Sequence, residues 1–165
     1  MEPRRTRRRP VALAFLPLAL APLTLAACGS GSGSGSGSGA ASADARLRTA
    51  GSTVEADMAH YLSDVPQCQE EANPVVCVEA ADRALGGQVH SYANVLAVGH
   101  GFRAPAADLT AARNTAQTLA NSLEILGDAQ PTQANYDQVR NTFDVNGAIA
   151  ALQRAVAKVD GSLGG

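Results

Sequence analysis

From residue 44 onward, apolar side chains recur at helical spacing, and this restricts the fold more than any other feature of the sequence. In residues 44–64, Leu47, Val54, Met58, Tyr61 and Leu62, with Val65 just beyond, fall at steps that line one side of a helix. Pro66 should stop that helix. Residues 74–98 repeat the pattern with Val78, Leu85, Val89, Tyr92 and Leu96, and Pro74 suits a first helical turn. Gly86-Gly87 weakens the middle of this helix by about 1 kcal/mol per glycine relative to alanine, but lets a neighbour come close. Residues 105–126 carry Leu109, Ala112, Ala116, Leu119, Leu123 and Leu126 in a seam of threes and fours, which Gly127 should end. Residues 131–160 carry Tyr136, Val139, Phe143, Ile149, Leu152, Val156 and Val159. Asn146-Gly147 interrupts this last pattern, but the apolar phase continues across it, which predicts one bent helix.

No segment alternates with period two for long enough to make a strand. The prediction is therefore all-α. Four helices with short connections favour an antiparallel up-down four-helix bundle over residues 44–165. The alanine-rich seams imply close helices with little interior volume for a ligand.

The first 43 residues follow different rules. Arg4, Arg5, Arg7, Arg8 and Arg9 precede an apolar run from Val11 to Ala27. That run is slightly short of the roughly 20 residues a spanning helix needs, and Pro17 and Pro22 weaken it as a permanent span. A charged start, a short apolar run and small residues at its end have the pattern of a removable export signal. The run closes on Leu25-Ala26-Ala27-Cys28, which resembles the lipobox of bacterial lipoproteins. The resemblance covers the export segment only. It implies a signal peptide over 1–27, a diacylglycerol on the Cys28 thiol, and a freed Cys28 amine open to acylation such as palmitate. It also implies an extracytoplasmic location, with the chain held at the cell membrane by lipid. Arg8-Arg9-Pro10-Val11 matches twin-arginine export poorly, which favours the general secretory route. Alternating glycine and serine from Gly29 to Gly39, then Ala40-Ala41-Ser42-Ala43, read as a flexible tether over 28–43.

With Cys28 taken by lipid, Cys68 and Cys77 remain as an even pair, and in an exported protein such a pair is expected as a disulfide. It would staple the hairpin between the first two helices and contribute roughly 2.5–3 kcal/mol in the chain-entropy model. A metal pair would want shorter spacing and more ligands, and a redox pair would want Cys-x-x-Cys.

Charge narrows the partners. The whole chain is at −2, but five of its 13 basic and one of its 15 acidic side chains precede Cys28; the remainder has 8 basic and 14 acidic groups, about −6. That balance argues against nucleic acid and against polybasic attachment to anionic lipid. Past Cys28 there are five aromatic residues (Tyr61, Tyr92, Phe102, Tyr136 and Phe143) and no tryptophan, which disfavours sugar stacking.

Candidate chemistry is sparse. The histidines are His60, His90 and His100. A di-iron bundle needs Glu-x-x-His on two helices, whereas this chain has one Asp57-Met58-Ala59-His60. An exposed His60 paired with Asp57 or Asp64 is the simpler reading. Met58 lies in a core stripe, so packing precedes haem ligation as its role. There is no Gly-x-Ser-x-Gly elbow, and the Gly29–Gly39 run lacks the lysine of a phosphate loop. The 99–103 loop gathers His100, Phe102 and Arg103, either as a binding loop or as a turn with Phe102 covering the end of the core. The expectation is a non-enzymatic module that binds or supports another envelope protein, without a cofactor. A carrier of a metal or small ligand between helices is the alternative, and an envelope enzyme would need polar side chains converging in a cleft.

Overall fold

The computed structural model describes residues 36–128, 138 and 140–164. These residues are helical almost throughout, with four long helices and no strand among them: α1 (Ser36–Gln67), α2 (Pro74–Val98), α3 (Ala106–Asp128) and α4 (Val145–Leu163). A single 3-10 turn, Cys68–Glu70, lies between α1 and α2. The signal, Cys28, Tyr136 and Val139 fall outside the described residues.

The start of α1 corrects the expected boundary. The helix begins at Ser36 rather than near residue 44, so residues 36–43 are helical where a tether was expected. The cause is local. Ala40-Ala41-Ser42-Ala43 are adequate helix formers, and the Ser42 hydroxyl donates to the Gly39 carbonyl at 2.8 Å. Ala43 is only 2% exposed, and Asp44 beside it is fully buried. From there the buried positions of α1 run Asp44, Leu47, Gly51, Val54, Met58 and Tyr61, alternating steps of three and four. Pro66 sits in the last turn, one residue before the helix ends.

α2 starts and stops where proline and glycine signal it. Pro74 occupies the first turn, and the Gly99 N–H closes the helix on the Val95 carbonyl at 3.0 Å. Gly86 is buried against α3, where an added Cβ would meet Leu123 Cβ at 3.4 Å, so the close approach is real at that position. Gly87 faces open space. In α3, Gly127 does not end the helix. It is buried and helical, and its carbonyl accepts from Arg83 Nε at 3.0 Å. Arg83 thus satisfies a carbonyl of the last turn, and its Cγ would lie 2.6 Å from a Cβ at 127.

The expected last helix is split rather than bent. Residues 140–142 are helical, Phe143 and Asp144 are not, and α4 begins at Val145. The break precedes Asn146-Gly147 because Asp144 caps α4, its carboxylate accepting the Gly147 N–H at 2.9 Å. A Cβ on residue 147 would lie 2.1 Å from Asp144 Oδ2, so glycine makes room for the cap.

α2 packs on α1 and, most extensively, on α3; α4 packs on α3 and α1. The fully buried centre includes Met58, Val89, Leu119, Leu123, Leu126, Leu152, Val156 and Val159. Burying each such side chain contributes roughly 1.5–3 kcal/mol. A small satellite core of Cys68, Val75 and Val78 packs with Val65 and Cys77 under the α1–α2 turn.

Candidate functional site

Two polar clusters of the interior are each built by a fully buried aspartate in a helical core stripe. On α2, Asp82 takes the stripe position between Val78 and Leu85 and is 0% exposed. Tyr61 of α1 donates its hydroxyl to Asp82 Oδ1 at 2.6 Å. Arg140, just before the α4 break, donates to both Asp82 oxygens at 3.3 and 3.4 Å and to the Tyr61 hydroxyl at 2.7 Å. Its guanidinium also stands 5.8 Å from the centre of the Tyr61 ring. Burial raises the Asp82 carboxyl above its ordinary range, opposed by the Tyr61 hydrogen bond and the Arg140 charge. Burial likewise raises the Tyr61 phenol, and the Asp82 carboxylate adds to that shift. A phenol in that state stays protonated and donates. It is poorly suited to act as a base or nucleophile at neutral pH.

The second cluster is at the start of α1. Asp44 accepts the Arg103 backbone N–H at 3.0 Å, and its other oxygen takes Arg103 Nε. These hydrogen bonds hold the Asp44 carboxyl below its ordinary range. Nearby, Arg48 donates to the Leu163 carbonyl at the end of α4. The 99–105 connection is thereby pinned to α1, and the end of α4 is pinned beside it.

The expected site residues can now be placed. Cys68 and Cys77 lie at disulfide distance, with Cα atoms 5.5 Å apart. Cys68 is in the turn after α1 and Cys77 in the first turn of α2. His60, His90 and His100 are all exposed. His60 lines a groove of about 250 Å³ between α1 and α2, with Asp57, Tyr61 and Asp64. His90 lines another, of about 300 Å³, between α2 and α3, with Arg83, Glu124 and Asp128. No group of three His, Cys, Asp or Glu side chains among the described residues is arranged to hold a metal. Asp64 accepts the Ser63 hydroxyl at 2.8 Å, and Asp57 Oδ2 is buried without a hydrogen-bond partner. Of the 99–103 loop, His100 is exposed and Phe102 packs partly into the core, covering its end. Arg103 is committed to Asp44. Gly101 turns the chain there with φ of 79°.

Sequence reasoning missed Asp44, Asp82 and Arg140. Their sign was readable: an ionisable residue at a core position of a three-four seam requires a buried partner. Tyr61 lines the groove between α1 and α2, and Arg140 lines another of about 320 Å³ at the start of α4; through their hydrogen bonds to Asp82 they fasten α1 and the segment before α4 to α2. No helix among the described residues is long and apolar enough to cross a membrane. Protein-family models, curated proteins and solved structures offer no match to this chain.

Proposed function

We propose that the chain is a lipid-anchored protein of the bacterial cell envelope, cleaved before Cys28 and held at the membrane by acyl chains on that residue. Its helical part serves there as a binding or structural module for another envelope protein and carries out no catalysis. The observation behind the anchor is Leu25-Ala26-Ala27-Cys28 directly after a charged start and an apolar run. Two or three acyl chains hold such a protein stably, since each buried methylene contributes about 0.8 kcal/mol. The Cys68–Cys77 pair, at bonding distance, suits an oxidising compartment.

The finer architecture belongs to the same reading. The four helices form an antiparallel up-down bundle, supported by the ring of neighbours from α1 through α2, α3 and α4 back to α1. Arg48 reaching the last turn of α4 fits opposed directions for α1 and α4. A filled aliphatic interior and buried ion pairs spent on fastening suit a rigid module. A carrier of a small ligand is the second reading, favoured by the buried, unpartnered Asp57 Oδ2 in the groove beside His60.

Growth of a bacterium expressing the full chain with an alkyne fatty acid, followed by mass spectrometry, tests the anchor. The expected result is lipid on a mature chain beginning at Cys28, absent in Cys28→Ser. An unlabelled chain that keeps residues 1–27 would refute it. Crosslinking in intact cells should then give one dominant envelope adduct. A stoichiometric metal or small molecule retained by the purified protein would favour the carrier instead.

A further inference from the structure

The charges of the helical part are sorted between its two ends. One end comprises the start of α1, the 99–105 connection and the close of α4, joined by Arg103 on Asp44 and Arg48 on Leu163. Its carboxylates are withdrawn. Asp44 is buried, Asp108 is half-buried and bound by Lys158 at 2.7 Å, and Asp160 is half-buried. Its cations are open: Arg46 and Arg48 are exposed, while Arg103 and Lys158 keep 55% and 71% of their side chains accessible even when paired. His100 is exposed at this end. Val98, at 72% the most exposed large apolar side chain among the described residues, ends α2 there.

The opposite end reverses the pattern. Asp64, Glu70, Glu71, Asp128 and Asp144 are all exposed. Arg83 is its exposed cation among the described residues, while Arg140 is turned into the Asp82 cluster.

We propose that the cationic end faces the membrane and rests on anionic lipid headgroups, with Val98 at the contact and the acidic end held outward. This rests on the reading of Cys28 as the lipid anchor. Chain length supports it. α1 starts at Ser36, eight residues beyond Cys28, and at about 3.5 Å per residue its first residue lies within roughly 28 Å of the anchor. The field completes the orientation. Residues 44 and 64 of α1 are separated by about 30 Å at 1.5 Å per residue. That is roughly three Debye lengths at 0.1 M salt, so a leaflet touching the cationic end hardly repels the acidic one. The net charge of about −6 therefore conceals a cationic face, and the field orients a domain that lipid already holds.

The test uses the full chain, processed and lipidated in a bacterial host and reconstituted into vesicles of phosphatidylcholine alone or enriched in phosphatidylglycerol. A fluorophore is placed on Val98→Cys or, at the acidic end, on Asn146→Cys; both native positions are exposed. Spin-labelled headgroups quench it. In anionic vesicles, quenching at 98 should exceed that at 146 by roughly threefold. The ratio should fall toward one in Arg46→Glu and in about 0.5 M salt, where the Debye length contracts to roughly 4 Å. Equal quenching at both positions, with the protein still floating with the vesicles, overturns the orientation and leaves the anchor standing. An unmodified Cys28 with no flotation overturns both.

Discussion

The two ends of the molecule solve the same problem with different physics. Each has a fully buried aspartate on a helix and an arginine from another part of the chain that must be brought down onto it. At the start of α1, Arg103 gives Asp44 a backbone and a side-chain hydrogen bond, and the carboxyl is pulled below its ordinary range. At the far end, Asp82 has Tyr61 and Arg140, yet burial wins and its carboxyl is pushed up. Arg103 stands 55% open to water, whereas Arg140 is only 20% open. The far end also has the Cys68–Cys77 pair and the Asp144 cap. One end is fastened by hydrogen bonds within reach of solvent and salt, whereas at the other the Asp82 cluster and Cys68 are shut away from both while the Asp144 cap is exposed. Direct, charge-assisted donors set the ionisation at the first, and the loss of water sets it at the second.

Removing Asp82 should produce the largest change. Asp82→Ala leaves Arg140 and the Tyr61 hydroxyl without their buried acceptor, and should lower stability by about 3 kcal/mol in urea unfolding at neutral pH. Asp44→Asn should lower the thermal midpoint by only a few degrees, and by less in high salt. If Asp44→Asn proves the more damaging of the two, the contrast between the ends is wrong. Removing both cysteines, as Cys68→Ser with Cys77→Ser, should cost roughly 2.5–3 kcal/mol. In that variant, the amides of the α1–α2 turn should exchange hydrogen faster than those of the 99–105 connection. Equal acceleration at both ends would show that the covalent fastening is not local.

A smaller effect separates two glycines. Gly147→Ala should displace the Asp144 cap and cost about 1 kcal/mol, whereas Gly87→Ala, in open space, should stabilise by about the same amount. A stability gain from Gly147→Ala would remove the cap from the far end's fastenings.

The two aspartates also respond oppositely to pH. Asp44 has a lowered folded value, so its contribution is present above the ordinary carboxylate value of about 3.9 and disappears as the pH falls through the lowered one. Asp82 has a raised value. Its ionised form costs stability at neutral pH, and that cost is relieved as the pH falls through the raised value toward about 3.9. Urea midpoints against pH should therefore lose a gain on mild acidification in Asp82→Asn, and lose part of the strongly acid decline in Asp44→Asn. Profiles of both variants parallel to the unaltered protein would break the distinction.

The bounds of α2 were legible in the sequence, because Pro74 opens a helical stripe that runs on to Leu96. The Cys68–Cys77 pairing was expected from parity once Cys28 is read as lipidated, and the two residues do lie at disulfide distance. The start of α1 was not, since alternating glycine and serine signal coil while the burial of Ala43 and Asp44 that secures the helix is tertiary. Gly127 looked like a stop because its carbonyl's partner, Arg83, lies 44 residues away. The break before α4 was expected only as a bend at Asn146-Gly147; the asparagine and glycine drew attention from Asp144, the aspartate that caps the helix. Tyr61 was counted as apolar packing, which its ring satisfies, and its hydroxyl pointed to Asp82 only once α2 was set beside α1.

The helical run from Ser36 to Ala43 has a mechanical consequence. A load applied on the N-terminal side of this domain enters α1 end-on, and it meets Gly39, Ala41 and Ser42, all exposed, before anything buried. Each residue drawn out of the helix lengthens the chain by about 2 Å, from 1.5 to roughly 3.5 Å. Eight residues thus release about 16 Å before the strain arrives at Asp44, where Arg103 holds. The first turns of α1 are a shock absorber in series with a clasp, and a tug can be taken up there while the packed interior stays at rest.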